Sequence, residues 1–148
     1  MKLNKIYTLA LLFFTITTFS SCIKSPTKSK SSADKVTQKV KKTTTIKRVD
    51  AIGFKAETEG KKVQLVDVRS PGEYTQGHIE NAININVYDK AFTTKTDALD
   101  KSKPVYVYCR SGSRSMKAAN NLKNRGFNVV NLNGGIGGWM RNGFKLIK

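Results

Sequence analysis

The 148-residue chain has no apolar run long enough to cross a bilayer, no internal repeat, and no aromatic residue among the lysines of its basic tract. A membrane span takes about 20 apolar residues, and the apolar stretch from Ile6 to Phe19 falls short of that. Proteins that bind single-stranded nucleic acid stack bases on aromatic side chains set among their cations. The segment from Cys22 to Arg48 carries nine Lys and Arg against one acid, Asp34, and has no Phe, Tyr or Trp. Nucleic acid is therefore not expected as a partner, despite the formal charge of +17. From Val49 to Lys148 the tally is sixteen Lys and Arg against nine acids, so the excess is largely a tail and the remainder is only moderately basic. Cysteine and histidine are scarce too: Cys22, Cys109 and His78 are all there are. The length gives room for one domain, since domains commonly take roughly 100 to 200 residues.

The N-terminus reads as an export signal. Lys2 and Lys5 give a positive start, the apolar stretch follows, and it ends in Phe19-Ser20-Ser21-Cys22, small residues before a possible processing site. That ending resembles the lipobox of bacterial lipoproteins, with Phe19 where Leu is usual. The resemblance implies a signal peptide over residues 1–21, a lipid on Cys22 that anchors the mature chain to a membrane, and a place in the bacterial cell envelope facing the periplasm. Plain secretion and an uncleaved anchor are the alternatives. With Cys22 lipidated, Cys109 is the only thiol of the mature chain and has no intramolecular disulfide partner. In an oxidising compartment such a lone exposed thiol is either protected or reactive.

Residues 22–43 are Lys, Ser and Thr with almost no large apolar side chain. They cannot bury enough surface to offset the entropy of ordering and read as a flexible linker. Its lysines either lie against anionic head groups or only solubilise the spacer. The folded domain is expected over residues 44–148. Thr45 to Val49 is an edge strand, and Asp50 caps a helix that ends near Gly60. Val63 to Asp67 is a more central strand. Ser70-Pro71-Gly72-Glu73 combines an N-cap, a first-turn proline and a glutamate three residues past the cap, which starts a short helix. Ala82 to Ile85 is a short strand, and Tyr88 to Asp100 is partly helical on the surface. Val105 to Tyr108 is a strand. Met116, Ala119 and Leu122 recur at helical spacing before Gly126. Phe127 to Leu132 is the last strand, and Ile136 to Arg141 a final helix whose Trp139 packs on the core. Alternating strands and helices predict an α/β fold, an open, mostly parallel sheet with helices on both faces, in which ligands bind at the carboxyl ends of strands.

Cys109 stands at such an end, in Cys109-Arg110-Ser111-Gly112-Ser113-Arg114. A short loop turning into a helix points its N–H groups inward and makes an anion cradle. A helix N-terminus and adjacent cations both favour a thiolate, so the Cys109 pKa is expected below the free value of about 8.5. Gly112 allows positive φ and a close backbone approach, while Ser111 and Ser113 add hydroxyls without bulk. Arg114 sits where a helix begins, and a cation there opposes the macrodipole, so an anion is expected beside it.

From about Thr44 to Lys148 the chain resembles a single rhodanese-like domain. The resemblance rests on Leu65-Val66-Asp67-Val68-Arg69, Glu73-Tyr74, Gly77-His78-Ile79 leading into Ala82-Ile83-Asn84-Ile85, Tyr106 to Ser115, and Leu132-Asn133-Gly134-Gly135 with Trp139 and Gly143. It implies a sulfurtransferase. Cys109 takes a sulfane sulfur from a small anionic donor such as thiosulfate, carries it as a persulfide, and passes it to a thiol or cyanide acceptor. Arg110 and Arg114, with the loop amides, would hold the departing sulfite-like anion. No metal or organic cofactor is required, and a monomer is expected. Asp67 and Arg69 look like the family's Asp-x-Arg pair and are read as supporting residues that tie loops by a charge-assisted hydrogen bond. His78 falls in a turn that is structural in the family.

Two other readings compete. Cysteine phosphatases use a similar cradle but place one more residue between Cys and Arg than the four found here, usually with His before the cysteine where this chain has Tyr108. Alternatively, the fold serves as a sulfur carrier fed by a protein partner, or as a redox-sensing module.

Overall fold

The computed structural model describes residues 43–148. The readings of residues 1–42, including the lipidation of Cys22, lie outside the described residues. The elements run β1 (Ile46–Val49), α1 (Ala51–Thr58), β2 (Gln64–Asp67), α2 (Pro71–Gln76), β3 (Ile83–Asn84), α3 (Phe92–Asp97), β4 (Val105–Tyr108), α4 (Ser113–Asn124), β5 (Val129–Leu132) and α5 (Gly135–Arg141). The strands form one sheet in the order β1-β5-β4-β2-β3, and every pair is parallel.

Parallel strands covered on both faces read as continuous apolar or β-branched runs, and the central strand β4, Val-Tyr-Val-Tyr, is buried at every position. The two-residue period of a strand divides its side chains between two cores. Val105 and Val107 join Val66, Val129, Phe92, Ala118, Ala119 and Leu122 on the α3 and α4 face. Tyr106 and Tyr108 join Leu65, Val130, Leu132, Phe54, Ile136 and Trp139 on the α1 and α5 face. The α/β architecture with helices on both faces is therefore as expected.

Local signals fix the helix starts. The Asp50 carboxylate accepts the Gly53 N–H at 2.8 Å, and Ser70 with Glu73 forms a capping box at the Pro71 start of α2. Three local expectations change. The strand expected over Ala82 to Ile85 shrinks to Ile83–Asn84. The segment expected on the surface contains α3, whose Phe92 and Thr96 are buried. There the Thr96 hydroxyl donates to Phe92 O at 2.8 Å and accepts from Arg125. Helix α4 buries the expected Ala119 and Leu122, together with Ser115 and Ala118, but Met116 is only half-buried.

Candidate active site

The carboxyl ends of β2, β4 and β5 bring three loops together on one side of the sheet, and the loop after β4 is the centre of that side. Cys109 directly follows Tyr108, so its thiol leaves the central strand and faces the start of α4. Gly112 takes φ +108° as the N-cap of α4, a backbone region that favours glycine. This turns the chain back so that the Gly112 N–H donates to Cys109 Sγ at 3.1 Å. Burial on its own raises the thiol pKa. The Ser115 hydroxyl, followed by the N–H groups of Ser115, Gly112 and Ser111, outweighs it, and the net direction is downward. The lowering thus comes from a hydroxyl and backbone amides rather than chiefly from the flanking arginines.

Cys109 is 1% exposed, not the exposed thiol expected. One side of it belongs to the apolar core with Val107 and Ala118, and the other faces the amides of the cradle. Ser115 is a site residue the sequence reading did not single out. It is fully buried in the first turn of α4, where its single hydroxyl proton is shared between the thiol and Gly112 O, the latter 3.1 Å from Oγ.

The remaining candidates separate into two groups. Arg110, Ser111 and Ser113 are exposed at the rim. Arg114 is instead committed within the protein, its Nη1 and Nη2 donating to the two Glu73 carboxylate oxygens at 2.6 and 2.7 Å. The anion expected beside Arg114 is therefore part of the fold. Glu73 is held well down, to about 2, first by the Arg114 hydrogen bonds and then by the Ser70 backbone and hydroxyl against the opposing effect of burial.

Asp67 and Arg69 form a buried pair. Arg69 Nε donates to both Asp67 oxygens at 3.0 and 2.9 Å, and Nη2 to Asp67 Oδ2 at 2.6 Å and to Gly77 O at 2.7 Å. Asn84 Nδ2 then bridges Asp67 O and Arg69 O at 3.0 and 2.9 Å. The pair ties the ends of β2 and α2 together behind the cradle. His78 is engaged elsewhere: its ring stacks on Tyr74 at 3.8 Å, and its backbone pairs with Ile147.

The glycine turn after β5 supports the cradle from below. Ile136 N donates to Cys109 O at 2.8 Å and Gly137 N to Arg110 O at 3.1 Å. Gly135 has φ +57°, and a Cβ there would overlap Cys109 O and sit 2.7 Å from Arg110 C and O. A cavity of about 430 Å³ lined by Lys55, Ile79, Trp139 and Phe144 includes no residue of the Cys109 loop. The nucleophile and its donors lie in the loop, so the chemistry belongs there.

The family model for the rhodanese-like domain matches residues 51–142. A sulfurtransferase of Allochromatium vinosum is 38% identical over 93 residues, which cover 62% of this chain and 83% of that protein. The thiosulfate sulfurtransferase GlpE of Shewanella oneidensis is 37% identical over 83 residues, covering 55% of this chain and 80% of that one. Among solved structures, a rhodanese-related protein of Thermoplasma volcanium superposes with a TM-score of 0.61 at 30% identity, covering 68% of this chain and 97% of the other. The fold is thus shared with that solved structure, and the chain belongs to the rhodanese-like domain family.

Proposed function

We propose that the chain is a sulfurtransferase that moves a sulfane sulfur through a persulfide on Cys109. The observation that carries this reading is the cradle itself. A thiol at the end of the central strand accepts the Gly112 N–H at 3.1 Å, and the Ser115 hydroxyl and the N–H groups of Ser115, Gly112 and Ser111 push its pKa down. Sulfurtransferases among the relatives support it.

The Cys109 thiolate attacks the outer sulfur of a thiosulfate-like donor. A new S–S bond forms as the donor's S–S bond breaks, and sulfite leaves with the electron pair. The loop N–H groups face the reacting sulfur, where they stabilise negative charge without reorganising. Arg110 is the side-chain cation free to meet the departing sulfite, while Arg114 acts through Glu73 to fix the first turn of α4. A thiol or cyanide then takes the outer sulfur, and the electron pair of the cleaved bond returns to Cys109. The loop is one residue shorter than a phosphatase cradle, which favours sulfur over a phosphoryl group.

Formation of thiocyanate from thiosulfate and cyanide tests the reading. The wild-type chain is expected to produce it and Cys109→Ala to lose it entirely; equal turnover by the two would refute the mechanism. We infer further that residues 1–21 direct export, that Cys22 carries the lipid, and that residues 22–43 tether the domain to a membrane of the cell envelope. The lipobox-like Phe19 to Cys22 sequence supports this placement.

A further inference from the structure

The charges around the cradle are arranged more widely than a small anion needs. Arg114, whose charge is felt at Cys109, is neutralised by Glu73. Arg110, Lys117 and Arg141 have no anionic partner among the described residues, and all three are exposed. Lys117 Nζ lies 4.8 Å over the ring of Tyr88, which is 63% exposed and follows Val87, a member of the same core as Cys109. The Arg141 guanidinium rests on the glycine turn, where a Cβ on Gly137 would be 3.5 Å from Nη1 and one on Gly134 3.7 Å from Nη2. That turn is hydrogen-bonded to the backbone of Cys109 and Arg110. The acids on this side, Asp67, Glu73 and Asp89, are each ion-paired, to Arg69, Arg114 and Lys95.

Topology sets the breadth of this rim. Tyr88 follows β3, Arg110 follows β4, and Arg141 closes the segment after β5. In the order β5-β4-β2-β3 the outer two strands are three spacings apart, about 14 Å. A thiosulfate-sized dianion cannot touch groups carried by strands that far apart, whereas an extended anionic surface can. The Tyr88 ring beside Lys117, at one end of the rim, adds an amphipathic contact of the kind interfaces favour.

We propose that Arg110, Lys117 and Arg141, with Tyr88, form a docking rim for an acidic protein segment that presents the thiol accepting sulfur from Cys109. This rests on the persulfide reading above. The acceptor thiolate attacks the outer sulfur of the Cys109 persulfide and the S–S bond of the persulfide breaks. The electron pair returns to Cys109 Sγ, and the proton stays on the transferred sulfur. Complementary charge raises the encounter rate and is screened by salt.

The test loads the full-length chain with sulfur from thiosulfate and offers it three synthetic peptides, each with one cysteine, flanked by glutamates, serines or lysines. Mass spectrometry follows the gain of one sulfur by each peptide. Flanking glutamates raise the thiol pKa and slow the intrinsic reaction, which makes a rate advantage the stricter outcome. The glutamate peptide is expected to accept sulfur about tenfold faster than the serine peptide at low salt, an advantage that falls as salt rises. The variant Lys117→Glu, which leaves the cradle and its supporting turn untouched, is expected to lose most of this preference while transferring sulfur from thiosulfate to cyanide at the wild-type rate. Equal rates for the peptides, or a preference that survives undiminished in the variant, would overturn the docking rim alone. Failure of Cys109 to gain any sulfur would overturn the persulfide reading and the rim with it.

Discussion

Arg114 and Glu73, 41 residues apart in the chain, meet through two parallel hydrogen bonds of 2.6 and 2.7 Å. Glu73 already closes the capping box of α2 with Ser70, so one carboxylate fixes the starts of two helices. The guanidinium and carboxylate forks match in geometry, which makes the pairing directional as well as strong. The cradle at the start of α4 is thereby locked to the loop after β2.

Removing the charge of Glu73 should loosen this lock. Glu73→Gln is expected to cost about 1–3 kcal/mol and to slow sulfur transfer without abolishing it, as read by thermal unfolding and thiocyanate formation. The folded carboxyl is held at about 2, below its ordinary 4.5. Its contribution to stability is therefore complete above about pH 4.5 and is lost as the pH falls toward 2. Acid unfolding of the wild type should be steeper than that of the variant in this window.

Ser115 should set the reactivity of the nucleophile. Its hydroxyl is the leading influence that lowers the Cys109 pKa, so Ser115→Ala should move the pH profile of alkylation by iodoacetamide to higher pH. At neutral pH the rate should fall about fivefold, the equivalent of one hydrogen bond of about 1 kcal/mol. An unchanged profile would assign the thiolate to the backbone amides alone.

A methyl group on Gly135 has nowhere to go, because it meets the backbone of Cys109 and Arg110. Gly135→Ala should cost about 2–3 kcal/mol and depress sulfur transfer by displacing the cradle. Gly60 offers the control: its φ is +67° with nothing within 4 Å of an added Cβ. Gly60→Ala should cost about 1 kcal/mol and leave transfer intact. Comparing denaturant midpoints and rates for the two separates backbone strain from damage to the site.

The export reading makes its own prediction. The mature chain should sediment with membranes and enter the detergent phase on phase separation, and Cys22→Ser should release it from both. A wild-type chain that stays in the aqueous phase with an unmodified Cys22 thiol would contradict the anchor.

Much of this architecture was legible in the residues. The Val-Tyr-Val-Tyr run, the Ser70 to Glu73 capping box and Gly112 announce a buried strand, a helix start and a left-handed turn from local chemistry alone. Ala119 and Leu122 mark the buried face of α4, but Ser115 and Ala118 on the same face were harder to read, because small residues barely mark a face. Met116 drew attention by its size and is only half-buried. Thr96 was misleading for a similar reason: its hydroxyl bonds to Phe92 O within α3, so a polar residue sits in the core at little cost. The anion beside Arg114 could be anticipated from the helix dipole, but not its identity, since only the assembled fold brings Glu73 to it. Ser115 was hidden by its place inside the helix, where sequence does not distinguish a structural hydroxyl from one serving the thiol.

The central claim is that Cys109 carries the sulfur. Intact-mass measurement of the full-length chain after thiosulfate, and again after cyanide, tests it most directly. The account predicts a gain of one sulfur atom located on Cys109, removed by cyanide as thiocyanate and absent in Cys109→Ala. A wild-type chain that turns thiosulfate and cyanide into thiocyanate without ever carrying sulfur on Cys109, or that carries it equally in Cys109→Ala, would contradict it.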